Sequence, residues 1–378
     1  MRSKNNLVLV CVVLSLALVA CSGSNKRVPA KLEAITNAYE LNRSWSLNVG
    51  TSAPFSFSPV AVAGDIYTVS RVGEIYRVNA SSGKVQWSVR TEAEISSGVG
   101  TDGRQVAVVS SKGMVMTFDA ATGKKLWETS VGNEVLTEPM VSRGTIVVRT
   151  IDNRFVAIDG ATGKRIWVTQ KPQSALSLRS SYAMLNLEGE GFLTGISGGR
   201  YGVMRFADGS TLLEGILGIP KGVSEIERLA DITAIPTIQG SRVCMVAYQG
   251  KIGCGDIRQQ QLTWTKEFSS HTGLTQSTDK VFSSSSKSFM TAFSADTGQQ
   301  LWMNEKLLWR ELGEPLAAGK FVIAGDVEGY LHFFSQEDGQ IMGRVRVDSS
   351  PITSAPLAVG GLIIVQTKGG TLAGYSPK

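Results

Sequence analysis

Phe155-Val156-Ala157-Ile158-Asp159, then Thr162-Gly163-Lys164, then Ile166-Trp167-Val168, is the stretch that decides the fold of this chain. An apolar run ends at an acid, a tight turn reverses the backbone, and a large apolar residue opens the next run. The same order of residues returns around Trp87, Trp127, Trp264 and Trp302, and Leu213 and Met342 hold the Trp position in two further copies. Counted from Trp87 to Met342, the successive separations are 40, 40, 46, 51, 38 and 40 residues. That spacing suits a four-stranded propeller blade and exceeds ankyrin or leucine-rich units.

One whole copy runs from Pro139 to Val168. It holds four short β-branched runs separated by turns rich in Gly, Asn and Asp, the mark of a hairpin meander, with no room for crossover helices. The turn before the Trp recurs as Ser82-Gly83-Lys84, Thr122-Gly123-Lys124, Thr297-Gly298-Gln299 and Asp338-Gly339-Gln340. A preceding Asn79, Asp119 or Asp159 accepts backbone N–H bonds from that turn, and Gly takes the left-handed position, so the outermost strand starts in fixed register. Trp87, Trp127, Trp167, Trp264 and Trp302 are thereby delivered to the gap between neighbouring blades, as packing rather than as a cofactor stack.

After Met342 the chain supplies three more strand patterns, around Leu357, Leu362 and Thr371, and no fourth. The outer-strand pattern missing there stands at the other end, in Arg43-Ser44-Trp45-Ser46-Leu47, with Trp45 42 residues before Trp87. Joining the two ends completes an eighth blade and leaves no open edge in the ring. The expectation is an all-β, eight-bladed propeller of four antiparallel strands per blade over residues 41–378. The longer segments Gly189–Gly202 and Gly215–Asp231, around the fourth and fifth blades, map to one face, where function concentrates.

At the amino end, Arg2 and Lys4 precede an apolar run from Leu7 to Ala20, which ends in Leu18-Val19-Ala20-Cys21. The run has secretory length and is short for a membrane span. The tetrapeptide resembles the bacterial lipobox. That likeness implies a signal peptide over 1–20, acylation of Cys21 as the mature first residue and, with Ser22 next, sorting to the outer membrane; a plain signal peptide with an incidental Cys21 is the alternative. Residues 21–40 read as a flexible polar tether. Three acyl chains exceed the two signals that stable anchoring needs.

Removing Arg2 and Lys4 from 38 basic residues leaves 36 against 32 acidic ones. The two signs are interspersed, which argues against a nucleic-acid partner. Cys244 and Cys254 flank one hairpin, either as a cross-strand disulfide or as two small apolar thiols. His271 and His332 lack metal-ligand spacing, and no Gly-x-Ser-x-Gly elbow, Walker loop or dinucleotide fingerprint occurs in strand–helix context. The residues point to no catalytic group, metal or cofactor.

The blade repeat resembles that of quinoprotein dehydrogenases. Those enzymes use an adjacent Cys pair, which this chain lacks. A quinoprotein-type dehydrogenase and a ligand-binding periplasmic propeller remain the competing readings. The lipobox, the ring and the segments Leu176-Ser177-Leu178-Arg179, Ser224-Glu225-Ile226-Glu227-Arg228-Leu229-Ala230-Asp231 and Gly325-Asp326-Val327-Glu328-Gly329-Tyr330-Leu331-His332 together resemble the BamB family, lipoprotein propellers of the β-barrel assembly machinery. That resemblance implies a non-enzymatic scaffold on the periplasmic face of the outer membrane, a monomer within its complex. It would bind the POTRA domains of BamA and other subunits and help nascent outer-membrane proteins to insert. It also implies that Leu176, Leu178, Arg179 and Asp231 form the partner-binding surface, while Thr233 stands where relatives carry a second acid.

Overall fold

The computed structural model describes residues 27–377 except 37, 174–177, 179–182, 188–190, 220–223 and 225–228. Each repeat folds into four antiparallel strands in chain order, and the described residues form eight such sheets and no helix. The third blade, for example, runs through Met140–Ser142, Thr145–Arg149, Arg154–Asp159 and Arg165–Gln170. Its second and third strands are buried on both faces because neighbouring blades cover them, which is why they read as unbroken apolar runs. The outer strand alternates instead, since one of its faces meets water.

In each blade the pairing of third and outer strands slips by one residue beside the Trp position. In the third blade Ala157 faces Trp167 while Ile158 faces Arg165, leaving Ile166 as the extra residue. A bulge of this kind twists the strand and re-aims a side chain. The eighth blade is built from both chain ends: Leu41–Asn48 pairs with Thr371–Pro377, followed by Leu362–Gln366 and Leu357–Val359. It carries the same slip, with Arg43 opposite Tyr375 and Trp45 opposite Gly374. The closure read from the sequence therefore holds down to the bulge.

Each indole crosses to the next blade. The Nε1–H groups of Trp45, Trp87, Trp127, Trp167, Trp264 and Trp302 donate to the carbonyls of Ala80, Ala120, Gly160, Phe206, Ala295 and Gln336 at 2.7–3.0 Å. Above the ring of Trp264 lies Gly298, at φ +69°, where an added Cβ would stand 2.4 Å from the indole. The motif thus spans two blades, with Trp on one and the turn Gly on the next.

This explains the two exceptions. Leu213 faces the fifth blade, whose turn Asp256-Ile257-Arg258-Gln259-Gln260 has Gln260 at φ +55° in place of Gly. A cleft of about 40 Å³ lined by Leu193, Tyr201, Leu213, Val243, Met245 and Leu262 lies where an indole would sit. Met342 faces the eighth blade, where the chain ends replace the turn and Tyr39 fills the contact, its N–H donating to the Met342 carbonyl at 2.7 Å.

Cys244 and Cys254 face each other across neighbouring strands of the fifth blade and are joined as a disulfide, with Cα atoms 4.1 Å apart.

One expectation needs correction. Residues 27–36 and 38–40 do not hang free as a tether but lie against blades six (274–304) and seven (316–346). The Ala30 N–H donates to the Leu308 carbonyl, the Arg310 Nη1–H to the Ala30 carbonyl at 2.8 Å, and the Arg344 Nη1–H to the Glu33 carbonyl. Leu32 packs on the cluster holding Trp302 and Phe334, and the Tyr39 ring lies 4.8 Å from that of Phe321. Residues 1–26, with Cys21, lie outside the described residues.

Candidate partner-binding face

Antiparallel alternation puts the turns between second and third strands and the blade-to-blade connections on one face of the ring. The described residues of the two connections that flank the fourth blade (184–216), among them Lys171, Leu178, Leu217 and Asp231, belong to that face. Asp231 ties them together. Its carboxylate accepts the Leu178 N–H at 2.9 Å and the Gly198 N–H at 3.1 Å, while its own carbonyl accepts the Tyr248 N–H. The residue is 1% exposed. The resemblance implies a partner-binding role for Asp231; in the structure its carboxylate is buried, where two backbone N–H groups satisfy it.

The base of the first segment is held just as firmly. Buried Arg149 donates to the Gly195 carbonyl at 2.7 Å and to Asn153, whose side-chain amide donates to the Pro172 carbonyl at 2.9 Å. Lys171 pairs with Glu214 at 2.8 Å. Leu178 is half-buried, and Ile151 and Ile219 stand exposed on the same face. Thr233 is buried, its hydroxyl donating to the His271 carbonyl at 3.2 Å. Leu176 and Arg179 lie outside the described residues, as does most of Ser224–Arg228.

The segment 325–332 has a different task. Asp326, fully buried, accepts hydrogen bonds from Arg310 at 2.7 Å, from His332 Nε2 at 2.8 Å and from the backbone of Glu328 and Tyr330. Burial alone would raise its pKa, but these donors outweigh it and hold the carboxylate below its ordinary range. Burial keeps His332 below the ordinary imidazole range, and its Nδ1 accepts from Arg344 at 3.2 Å, so the neutral ring donates from Nε2.

At the ring centre lies a cavity of about 790 Å³, lined in part by Phe55, Pro59, Leu136, Ile235, His271 and Glu311. Glu138 and Glu314 reach into it, each before a Pro that opens an inner strand, where a missing N–H is tolerated. Each carboxyl keeps some surface on the lumen, yet wall atoms crowd it. Burial pushes Glu314 up to about 8, and the Glu138 charge adds to the rise. Burial likewise raises Glu138, against hydrogen bonds from its own backbone and from Ser58.

A folded-state proton on Glu314 that an unfolded Glu loses near about 4.3 stabilises fully below that pH, and the benefit fades as pH climbs to about 8. Glu314→Gln is therefore expected to raise the thermal midpoint at pH 8 and to leave it unchanged at pH 4, read by circular dichroism. Among the described residues no three or more His, Cys, Asp or Glu converge as metal ligands.

A family model described as outer membrane protein assembly factor BamB matches residues 71–304 and 289–378. The outer membrane protein assembly factor BamB of Pseudomonas aeruginosa is 41% identical over 370 residues, covering 97% of each chain. The chain belongs to the BamB family. The crystal structure of BamB from Moraxella catarrhalis matches 89% of this chain and 100% of that one with a TM-score of 0.82 at 24% identity. A quinohemoprotein alcohol dehydrogenase from Pseudomonas putida matches 89% of this chain and 76% of its own with a TM-score of 0.71 at 13% identity. At those identities the two structural likenesses show a shared ring and nothing of activity.

Within the BamB family frame, the sequence reading missed the residues that hold the face in place. Arg149 and Lys171 are charges within or beside apolar strands, and each is less than a tenth exposed. A cation inside such a run signals a buried partner, and that signal was available.

Proposed function

We propose that the chain is a non-enzymatic scaffold that joins the outer-membrane β-barrel assembly machinery by binding the POTRA domains of BamA. The segment Leu176–Arg179 makes the contact, and Cys21 carries the lipid that holds the ring on the periplasmic face of the membrane, where it helps nascent barrel proteins to insert. One observation carries this reading: the Asp231 carboxylate accepts the Leu178 N–H from the connection before the fourth blade and the Gly198 N–H from the turn within that blade, and so ties the Leu178 backbone to the ring. A backbone held at Leu178 in this way lowers the ordering cost of a contact made there, and the sequence around it, two leucines and an arginine, has the composition of an interface anchor. Asp231 is then a positioning residue, and buried Thr233 makes no charged contact of its own. Family membership supports the choice of partner.

Arg179→Glu is expected to abolish co-purification with BamA while leaving the thermal melt unchanged, the outcome that separates a contact residue from a core one. An undiminished pull-down would refute the contact.

A further inference from the structure

We propose that the docked amino-terminal segment fixes which side of the ring meets the membrane, and that the rim around Arg27, Lys31, Lys287, Lys306 and Trp309 rests against anionic lipid headgroups. The inference rests on acylation of Cys21 and adds an orientation to it. Six Cα steps separate Cys21 from Arg27, and at no more than about 3.6 Å each they reach about 20 Å. From Arg27 on, the chain lies against the ring. The Arg27 guanidinium lies 4.6 Å from the centre of the Trp309 ring, and Ala30 is bonded to both Leu308 and Arg310. Lys306 pairs with Glu33 at 2.8 Å.

The lipid therefore leaves the ring at the connection between blades six and seven, on the face that also carries Leu178 and Asp231. The charge there suits a headgroup surface. Arg27, Lys31 and Lys287 are exposed, Lys306 is exposed but already paired with Glu33, and the Trp309 backbone N–H donates to the Lys287 carbonyl at 3.1 Å, which draws the turn of blade six into the same patch. Basic side chains are drawn to an anionic surface, and Trp favours the headgroup level. Blade two (100–130) lies across the ring from blade six. Lys112 occupies the turn there that corresponds to Lys287.

The test uses full-length acylated chain in vesicles of phosphatidylethanolamine and phosphatidylglycerol. A donor dye is placed at Lys287→Cys or at Lys112→Cys, and a headgroup-labelled lipid is the acceptor; Cys244 and Cys254 are held in the disulfide and Cys21 by its lipid. Energy transfer several-fold greater from position 287 is expected, and a long Gly-Ser insert between Lys26 and Arg27 should remove the difference. Equal transfer from both positions in vesicle-bound chain, or a difference that survives the insert, overturns the orientation. Chain that fails to float with the vesicles overturns the acylation reading and the orientation with it.

Discussion

Trp264→Ala is expected to destabilise the ring by about 3–5 kcal/mol, the range for removing a large buried aromatic. The indole is 8% exposed, donates to the Ala295 carbonyl at 2.8 Å and lies under Gly298 of the next blade. Truncation leaves a cavity between two blades, an unsatisfied carbonyl and a bare turn, and the last two losses add to the first. Urea unfolding followed by tryptophan-independent circular dichroism reads the effect. Gly298→Ala strikes the same contact from the other blade, since its methyl would meet the indole in a backbone conformation that disfavours side chains. A loss at Trp264 no larger than that at an exposed surface position would show that the indoles do not hold the blades together.

Asp326→Ala is expected to cost a similar amount, about 3–5 kcal/mol, because it strands a buried guanidinium. Arg310 is 2% exposed, and its other carboxylate partner, Glu328, is half in solvent. The same arginine holds the Ala30 carbonyl, so the variant should also loosen residues 27–33, seen as faster amide exchange there.

The wild-type protein carries a matching pH signature. Asp326 and His332 both have folded pKa values below their unfolded ones, so their stabilisation is complete at pH 7. It declines as pH falls below about 6.5, where unfolded His takes up a proton, and again below about 3.9, where unfolded Asp does. The variant should lose the lower of these two declines. An unchanged acid limb would place the group's stabilisation elsewhere.

The ring was legible because its determinants are local. A Trp, a bulge and a turn Gly recur within one repeat length, and the two chain ends display complementary parts of a single blade. Why Leu213 and Met342 replace Trp was not legible, since the answer sits on the next blade, in Gln260 and in the break between chain ends. The docking of Ala30, Glu33 and Tyr39 was not legible for a related reason. Its partners, Arg310 and Arg344, lie 280 and 311 residues away, and hydrogen bonds to backbone carbonyls leave no pattern in the segment that accepts them. Asp231 shows a third limit. An acid in a loop reads as exposed, and only the loop's path shows that two N–H groups surround it. The opposed pair Glu138 and Glu314 is a pair only once the ring brings blades three and seven face to face.

The central claim is that this ring works by holding the barrel-assembly machinery rather than by turning over a substrate. Affinity purification of the full-length chain from solubilised outer membrane, read by mass spectrometry and absorption spectroscopy, tests it most directly. The account predicts that BamA co-purifies in stable complex and that no quinone absorbance accompanies the chain. Recovery of the chain without BamA, with a quinone bound and calcium-dependent dye reduction, would contradict it.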